Sequence, residues 1–473
     1  MLNNKRTYYF LIACNLVVSL IGFYLGTKTA YYDSIGYWNM GKSFGYGTFS
    51  SWYFLPVSAP ETLRTWGYPF FLFLCQQIAD SPLVAQTIQL TLYLTSIFLI
   101  LKLIKLFNSN LIYRNIFLLI LIPNIKTSFY SGQISADSLC IFFMTLYAYL
   151  YYSLRNSVLK MILMAVCGFV LFQLKPVFLL FPVLLFLYQL IFQREKIKLY
   201  LFSTILYLLL LLPFGFWNYS NHGVFKVTPL EGGGGIMHIG YWCFKLPESY
   251  QEKFYWGLNC TADYTQPNFT ASVEKSNNAR LFETEWNDIN NQLKPFADEE
   301  EQTIALMSAN DSGQFILHTG TYTNEREKLL VGKTIEHIKE EPLFYLETRI
   351  YTFCRLWFTG INKNEWNDAD SVTAKIKVLY PFLTSFVFIF WGLILIIAFV
   401  LLKKLSWSKF HFLFLLTIYF GLIHTPFAYQ SRFTVPVHLF ILLMFSFVIT
   451  NFVFDKDTKN NGEHQNYALS EID

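Results

Sequence analysis

Tyr8-Tyr9-Phe10-Leu11-Ile12-Ala13-Cys14-Asn15-Leu16-Val17-Val18-Ser19-Leu20-Ile21-Gly22-Phe23-Tyr24-Leu25-Gly26 carries no charge and follows Lys5-Arg6 directly but for Thr7. A helix of this length is about 28 Å long at 1.5 Å per residue, close to the hydrocarbon thickness of a bilayer. The run exceeds the h-region of a secretory signal, and no small-residue cleavage pattern follows it, so it reads as a retained membrane helix. The rest of the chain agrees. Of 473 residues 54% are hydrophobic, 19% aromatic and only 14% charged, with mean hydropathy +0.35. That is too apolar for a soluble domain and predicts an all-α polytopic membrane protein.

Apolar runs near bilayer length number about ten, at residues 8–26, 83–101, 115–130, 137–153, 157–174, 176–193, 199–217, 377–402, 409–425 and 433–454. Gly67 to Ala79 is apolar but short, as in a re-entrant or interfacial helix. With the N-terminus inside, the inner connections hold Lys102, Lys105 and Arg114, then Arg155 and Lys160, then Arg194, Lys196 and Lys198, then Lys403, Lys404 and Lys409. This follows the positive-inside rule and puts both termini in the cytoplasm of a multi-pass plasma (inner) membrane protein. The orientation depends on Lys175-Pro176 acting as a nearly loopless turn between two helices. One continuous helix there would place Arg194, Lys196, Lys198, Lys403 and Lys404 outside, against the rule. Pro176 suits the first turn of a new helix, where its missing N–H costs nothing.

The expected organisation is a transmembrane body over 1–217 with its first outer loop at 27–66, an extracytoplasmic insert over 218–375 of mainly α or α+β structure, C-terminal membrane helices over 376–454, and a disordered cytoplasmic tail over 455–473. The insert holds 14 Lys and Arg against 22 Asp and Glu, a net of −8, which leaves +12 on the remainder. Within it, residues 324–358 have helical periodicity through Leu329, Ile335, Ile338, Leu343, Leu346 and Ile350, as in a helix lying along the membrane surface.

Cysteine and histidine usage points away from metal chemistry. Cys14, Cys75, Cys140, Cys167, Cys243, Cys260 and Cys354 form no CxxC pair, and the eight histidines form no HxxH or HExxH cluster, so no zinc site is expected. Cys243 and Cys260 share the insert and can pair in an oxidising compartment if their geometry permits. Asn268-Phe269-Thr270 fits the glycosylation acceptor pattern, which matters only in a eukaryotic secretory pathway. Glu231-Gly232-Gly233-Gly234-Gly235-Ile236 reads as a hinge, because its glycines lack the spacing of a nucleotide loop.

Past the first span stands Asp33-Ser34-Ile35-Gly36-Tyr37-Trp38-Asn39-Met40-Gly41-Lys42. An acid at a bilayer exit is costly and points to function. The predicted topology brings Asp33, Arg64, Lys126, Asp137, Lys175, Lys226 and Arg432 to the outer boundary from seven separated places. A Lys or Arg there is commonly a snorkelling side chain, whereas the short carboxylates of Asp33 and Asp137 reach water poorly. Asp33 also suits the N-terminus of a helix carrying Tyr37, Met40, Gly41 and Phe44, a position that keeps a carboxylate ionised. Two acids with several cations at one membrane face suit a reaction on an anionic, lipid-linked substrate.

These residues resemble the GT-C class of membrane glycosyltransferases, and within it the bacterial relatives of protein O-mannosyltransferases and of the transferases that put aminoarabinose on lipid A. The resemblance rests on Asp33 with Tyr37-Trp38, Gly47-Thr48-Phe49, Arg64-Thr65-Trp66-Gly67-Tyr68-Pro69, Ser135-Ala136-Asp137, Leu174-Lys175-Pro176, Pro213 with Trp217-Asn218-Tyr219, His337 to Leu346 with Glu341-Pro342 and Tyr345, and Gln430-Ser431-Arg432-Phe433 with Pro436. It implies transfer of a sugar from a polyprenyl-phosphate donor to a lipid, glycan or protein acceptor on the outer side. Asp33 and Asp137 are then the expected catalytic residues, Arg64, Lys175 and Arg432 the donor-phosphate contacts, and Tyr37, Tyr68, Lys226 and Asn218 the substrate cavity. No cofactor is required, although the acids can hold a divalent metal, and no nucleic-acid partner is expected. Trp66 stands where proline is commoner in that family, and Trp217 where arginine often precedes the asparagine. An O-antigen ligase or polymerase shares the polytopic body and large outer loop but lacks the first-loop acid with its aromatics. A secondary transporter carries membrane charges but shows paired broken helices and two similar halves, neither of which is present.

Overall fold

The computed structural model describes residues 2–28, 32–51, 53, 60–153, 157–192, 194, 197–246, 277–296, 303–308, 311–316, 320–359, 366, 368–427 and 432–458. Cys260, Asn268 to Thr270, Gln430-Ser431 and the tail beyond 458 lie outside the described residues.

The described residues are helical almost throughout. In order come α1 (Lys5–Thr27), α2 (Tyr32–Ser43), α3 (Gly67–Ile78), α4 (Pro82–Phe107), α5 (Leu111–Leu121), α6 (Lys126–Gly132), α7 (Asp137–Ser153), α8 (Val158–Leu174), α9 (Phe181–Phe192) and α10 (Ile197–His222). There follow α11 (Gly234–Lys245), α12 (Asn277–Leu293), a hairpin of β1 (Thr303–Ser308) and β2 (Asp311–Ile316), then α13 (Gly320–Glu340), α14 (Pro342–Arg355), α15 (Val372–Thr384), α16 (Trp391–Leu401), α17 (Trp407–His424) and α18 (His438–Thr458). The hairpin is antiparallel, with Thr303 opposite Ile316 and Ser308 opposite Asp311.

Among the described residues, five helices are long and apolar enough to cross a bilayer: Lys5–Thr27, Pro82–Phe107, Ile197–His222, Val372–Leu401 and Val435–Val453. Shorter apolar helices cover Leu111–Leu121, Val158–Leu174, Pro176–Phe192 and Lys409–His424. Pro381 and a π turn over Ser385–Phe390 lie inside Val372–Leu401, the kind of insertion that bends a long helix without ending it. The helix break at Lys175 is as read from the sequence. α8 stops at Leu174, Lys175 is extended, and a 3₁₀ turn begins at Pro176.

Two segments differ from expectation, each at a proline. Residues 115–130 do not form one helix, because Pro123 lacks an N–H and its ring clashes with the preceding turn; α5 ends at Leu121 and α6 begins at Lys126. The amide of Asn124 returns to Ile120 O at 2.7 Å and closes the break. α6 then meets α7 with a bend of 119°. Likewise 324–358 is two helices, parted at Glu341 before Pro342. On α14 the apolar stripe of the periodicity turns outward, with Leu343, Leu346 and Ile350 all exposed, Leu343 at 80%.

Close packing holds α1 to α6. Gly22 and Gly26, spaced four apart on one helix face, leave so little room that an added Cβ would lie 2.1 Å from Ser128 Oγ and from Phe129 O respectively. This is the small-xxx-small device by which apolar helices approach when lipid supplies no hydrophobic drive between them. Asn15 is buried on the same helix and spends its amide on Leu118 O at 2.9 Å, pinning α1 to α5. The helix that carries Lys126 is thereby fixed against α1.

Candidate active site

A cavity of about 700 Å³ lies where α2, the segment before α3, the start of α7, the α8 break, the α10 to α11 connection and the segment before α18 converge. Asp33, Tyr37, Arg64, Asp137, Lys175, Lys226 and Arg432 all line it. They are separated along the chain, and the fold brings all seven to one wall.

Asp33 sits in the first turn of α2, where the helix dipole favours an anion. Its Oδ1 accepts from Arg64 Nη2 at 2.7 Å and its Oδ2 from Arg432 Nη2 at 3.2 Å. Burial raises the carboxyl, but the two guanidiniums outweigh burial and hold it below its ordinary value. The side chain is 35% exposed, so it faces the cavity while it is held. Arg64 lies over the ring of Tyr37 at 4.7 Å, and that ring meets Tyr68 edge-on at 4.9 Å. Ser34 Oγ donates to Ile134 O at 3.0 Å and ties α2 to the stretch preceding Asp137.

Asp137 opens α7, is buried, and forms an ion pair with Lys175. The segment carrying Arg64 is stitched to the same place, because Thr65 Oγ1 donates to Gln173 O at 2.8 Å and Trp66 N to Gln173 Oε1 at 3.2 Å. Gly67 approaches so closely that a Cβ there would lie 2.5 Å from Gln173 O. Gln173 thus sets the separation of Arg64 from Lys175. Its role was not read from the sequence, although an amide two residues before Lys175-Pro176 in an apolar helix was a visible signal.

Two residues expected in the cavity stand behind its wall. Tyr68 is fully buried and donates to Gln89 Oε1 at 2.7 Å, so it buttresses Tyr37 and does not line the space. Asn218 is buried and spends its amide on Lys226 O and Thr228 O, at 2.5 and 2.9 Å, shaping the loop that presents Lys226. Lys126 is likewise elsewhere, donating to Thr359 Oγ1 at 2.9 Å.

The glycine run is neither an open hinge nor a phosphate loop. Gly232 has φ +98°, which glycine adopts without strain, and Gly234 N and Gly235 N donate to the Glu327 carboxylate at 2.6 and 3.3 Å. Those two N–H groups are occupied by a side chain of α13, while Gly232 and Gly233 border the cavity. Glu231, also on the wall, pairs with Arg326 at 2.5 Å and with the Thr62 hydroxyl. Burial pushes its carboxyl up and pushes the Lys226 ammonium down. The wall therefore carries four cations against three carboxylates, and Glu231 already has a partner outside it. The two departures from the family pattern meet each other, Trp66 standing edge-on to Trp217 at 5.9 Å.

Cys243 on α11 is disulfide-bonded, whereas Cys14, Cys75, Cys140, Cys167 and Cys354 are free. No protein-family model matches the chain, and neither a curated protein nor a solved structure does.

Proposed function

We propose that this chain is an integral membrane glycosyltransferase that moves a sugar from a polyprenyl-phosphate donor to a lipid, glycan or protein acceptor outside the membrane. About ten membrane helices, an outer insert over 218–375 and cytoplasmic termini belong to the same proposal. What carries it is one cavity that joins three carboxylates to four cations beside an apolar wall of Leu174, Val177, Leu179, Leu180, Ile236 and Ile239. An anionic headgroup on a hydrocarbon tail needs both surfaces. The exposed stripe of Leu343, Leu346 and Ile350 suits α14 to the membrane surface.

In this reading the acceptor oxygen attacks the anomeric carbon, the bond to the phosphate oxygen breaks, and polyprenyl phosphate departs with the electron pair. Asp33 takes the acceptor proton, and Arg64, Lys175 and Arg432 neutralise the leaving phosphate. Without donor, the two arginines are engaged by Asp33 itself. Donor phosphate competes for them, and as they turn to it the carboxylate becomes a stronger base.

The test compares lipid and glycan mass profiles of cells lacking the gene with those of cells given the native chain or Asp33→Asn. Loss of a positioned base costs about 10² to 10⁴ in rate, or ~3–5 kcal/mol of barrier. The Asn variant should insert normally and leave the profile unrestored, with Asp137→Asn milder if that residue only orients Lys175. Full restoration by Asp33→Asn would remove the catalytic assignment.

A further inference from the structure

Away from the cavity wall, three helices of the insert bring together side chains that the sequence keeps far apart: His238 on α11, Glu285 on α12 and His337 on α13. One ligand atom from each lies within 4.8 Å of the others. His238 Nε2 is 2.6 Å from Glu285 Oε1, and His337 Nε2 is 2.7 Å from Glu285 Oε2. The side chains are 1%, 13% and 14% exposed, so little water reaches them.

Hydrogen bonds account for one side of this cluster and leave His337 Nε2 over. Trp242 Nε1–H is directed at both Glu285 Oε1, at 2.9 Å, and His238 Nε2, at 3.1 Å. Glu285 Oε1 accepts from Trp242, and its 2.6 Å contact with His238 Nε2 is a hydrogen bond when that nitrogen carries a proton and a pair of ligand atoms when it does not. His337 Nε2 is fully buried and, although 2.7 Å from Glu285, makes no hydrogen bond of acceptable geometry. Two imidazole nitrogens and a carboxylate thus converge on one point.

We infer that His238, Glu285 and His337 form a binding site for a divalent transition metal of the zinc type, clamping α11, α12 and α13 together. Two histidines with one carboxylate are a recurrent zinc donor set that leaves a fourth position for water or a substrate group. Tetrahedral bonds of about 2.1 Å place ligand atoms about 3.4 Å apart, so the 2.6 and 2.7 Å contacts need to open by less than ~1 Å. The surroundings suit the role. Trp242 stays on the ligating carboxylate as its hydrogen-bond donor, and His337 is held flat on Tyr241 at 4.3 Å and 3°. No sequence motif announces the site, because its ligands come one from each helix.

The test uses the purified full chain, stripped with chelator and titrated with Zn²⁺ alone against a chromophoric zinc indicator. One tight equivalent is expected, with a rise in the unfolding midpoint on its addition. His337→Ala and Glu285→Gln should each weaken that equivalent by about 10²-fold or more and abolish the rise. Glu285→Gln keeps hydrogen-bonding capacity, so a purely hydrogen-bonded triad would leave the unfolding midpoint independent of zinc in native and variant chains alike. No tight equivalent in the native chain, or one that survives both substitutions, overturns the site. If His337→Ala does not fold, Glu285→Gln decides the matter alone.

Discussion

Gly67→Ala is a small change with a site-specific consequence. The new Cβ would fall 2.5 Å from Gln173 O and 2.6 Å from Gln173 C, both backbone atoms, where ordinary contact begins near 3.4 Å. The segment bearing Arg64 and the α8 break bearing Lys175 must therefore separate by about 0.9 Å, and a misplacement near 1 Å costs on the order of 10²-fold in rate. Overpacking of this size also costs about 1–3 kcal/mol of stability, which leaves the chain folded. Gly36→Ala is the matched control, since its Cβ would meet only Arg64 Nη1, at an ordinary 3.8 Å. Both variants are compared in membranes at equal expression, by transfer rate from a polyprenyl-phosphate-linked sugar and by unfolding midpoint in detergent. Gly67→Ala should lose about two decades of rate while Gly36→Ala stays within a few-fold of the native chain. If both keep native rates, the spacing of Arg64 from Lys175 does not govern the reaction. If both lose rate equally, the contact with Gln173 is not the cause.

Arg432→Gln should raise the donor KM by about 10- to 10²-fold, the loss of one charged hydrogen bond, with a smaller effect on kcat; unchanged donor dependence in Arg64→Gln, Lys175→Gln and Arg432→Gln would dismiss the phosphate assignment. Because Arg64 and Arg432 overcome burial and lower the Asp33 carboxyl, the acid limb of kcat/KM should fall below 3.8. Activity is then lost as pH drops through that value, and the limb of kcat should lie higher once phosphate draws the arginines away; coincident limbs would refute the exchange. Reporters fused at Asn290 should read extracytoplasmic and those at Lys404 cytoplasmic, and a cytoplasmic signal at Asn290 would end the topology proposed.

The sequence reveals features governed by neighbours and hides those governed by distant contact. Lys5–Thr27 and Pro82–Phe107 are legible because an uncharged run of bilayer length admits one structure. Lys175-Pro176 announces its break by the chemistry of proline, and Pro123 carried the same signal inside an apolar run that masked it. Acids and cations of the cavity were legible because charge is rare in apolar surroundings. Tyr68 and Asn218 were not separable from true wall residues, since both are polar and adjacent to the site, and only packing shows which way each bond is spent. Gln173, Glu231 and the His238, Glu285 and His337 cluster depend on pairings between helices far apart in the chain, which no local pattern encodes.

Asp33 and Arg432 are 399 residues apart, nearly the whole chain. At about 5–20 residues per second of synthesis, roughly 20–80 s pass between the emergence of the acid and that of its second partner. Throughout that interval Arg64 alone can neutralise Asp33, and the cavity lacks one wall. The charge arrangement is therefore completed only by the C-terminal part of the chain, and a chain cut short before residue 432 lacks the second guanidinium held by Asp33. Under the transfer reaction proposed above, this order of assembly would keep an unfinished chain from consuming lipid-linked sugar during synthesis.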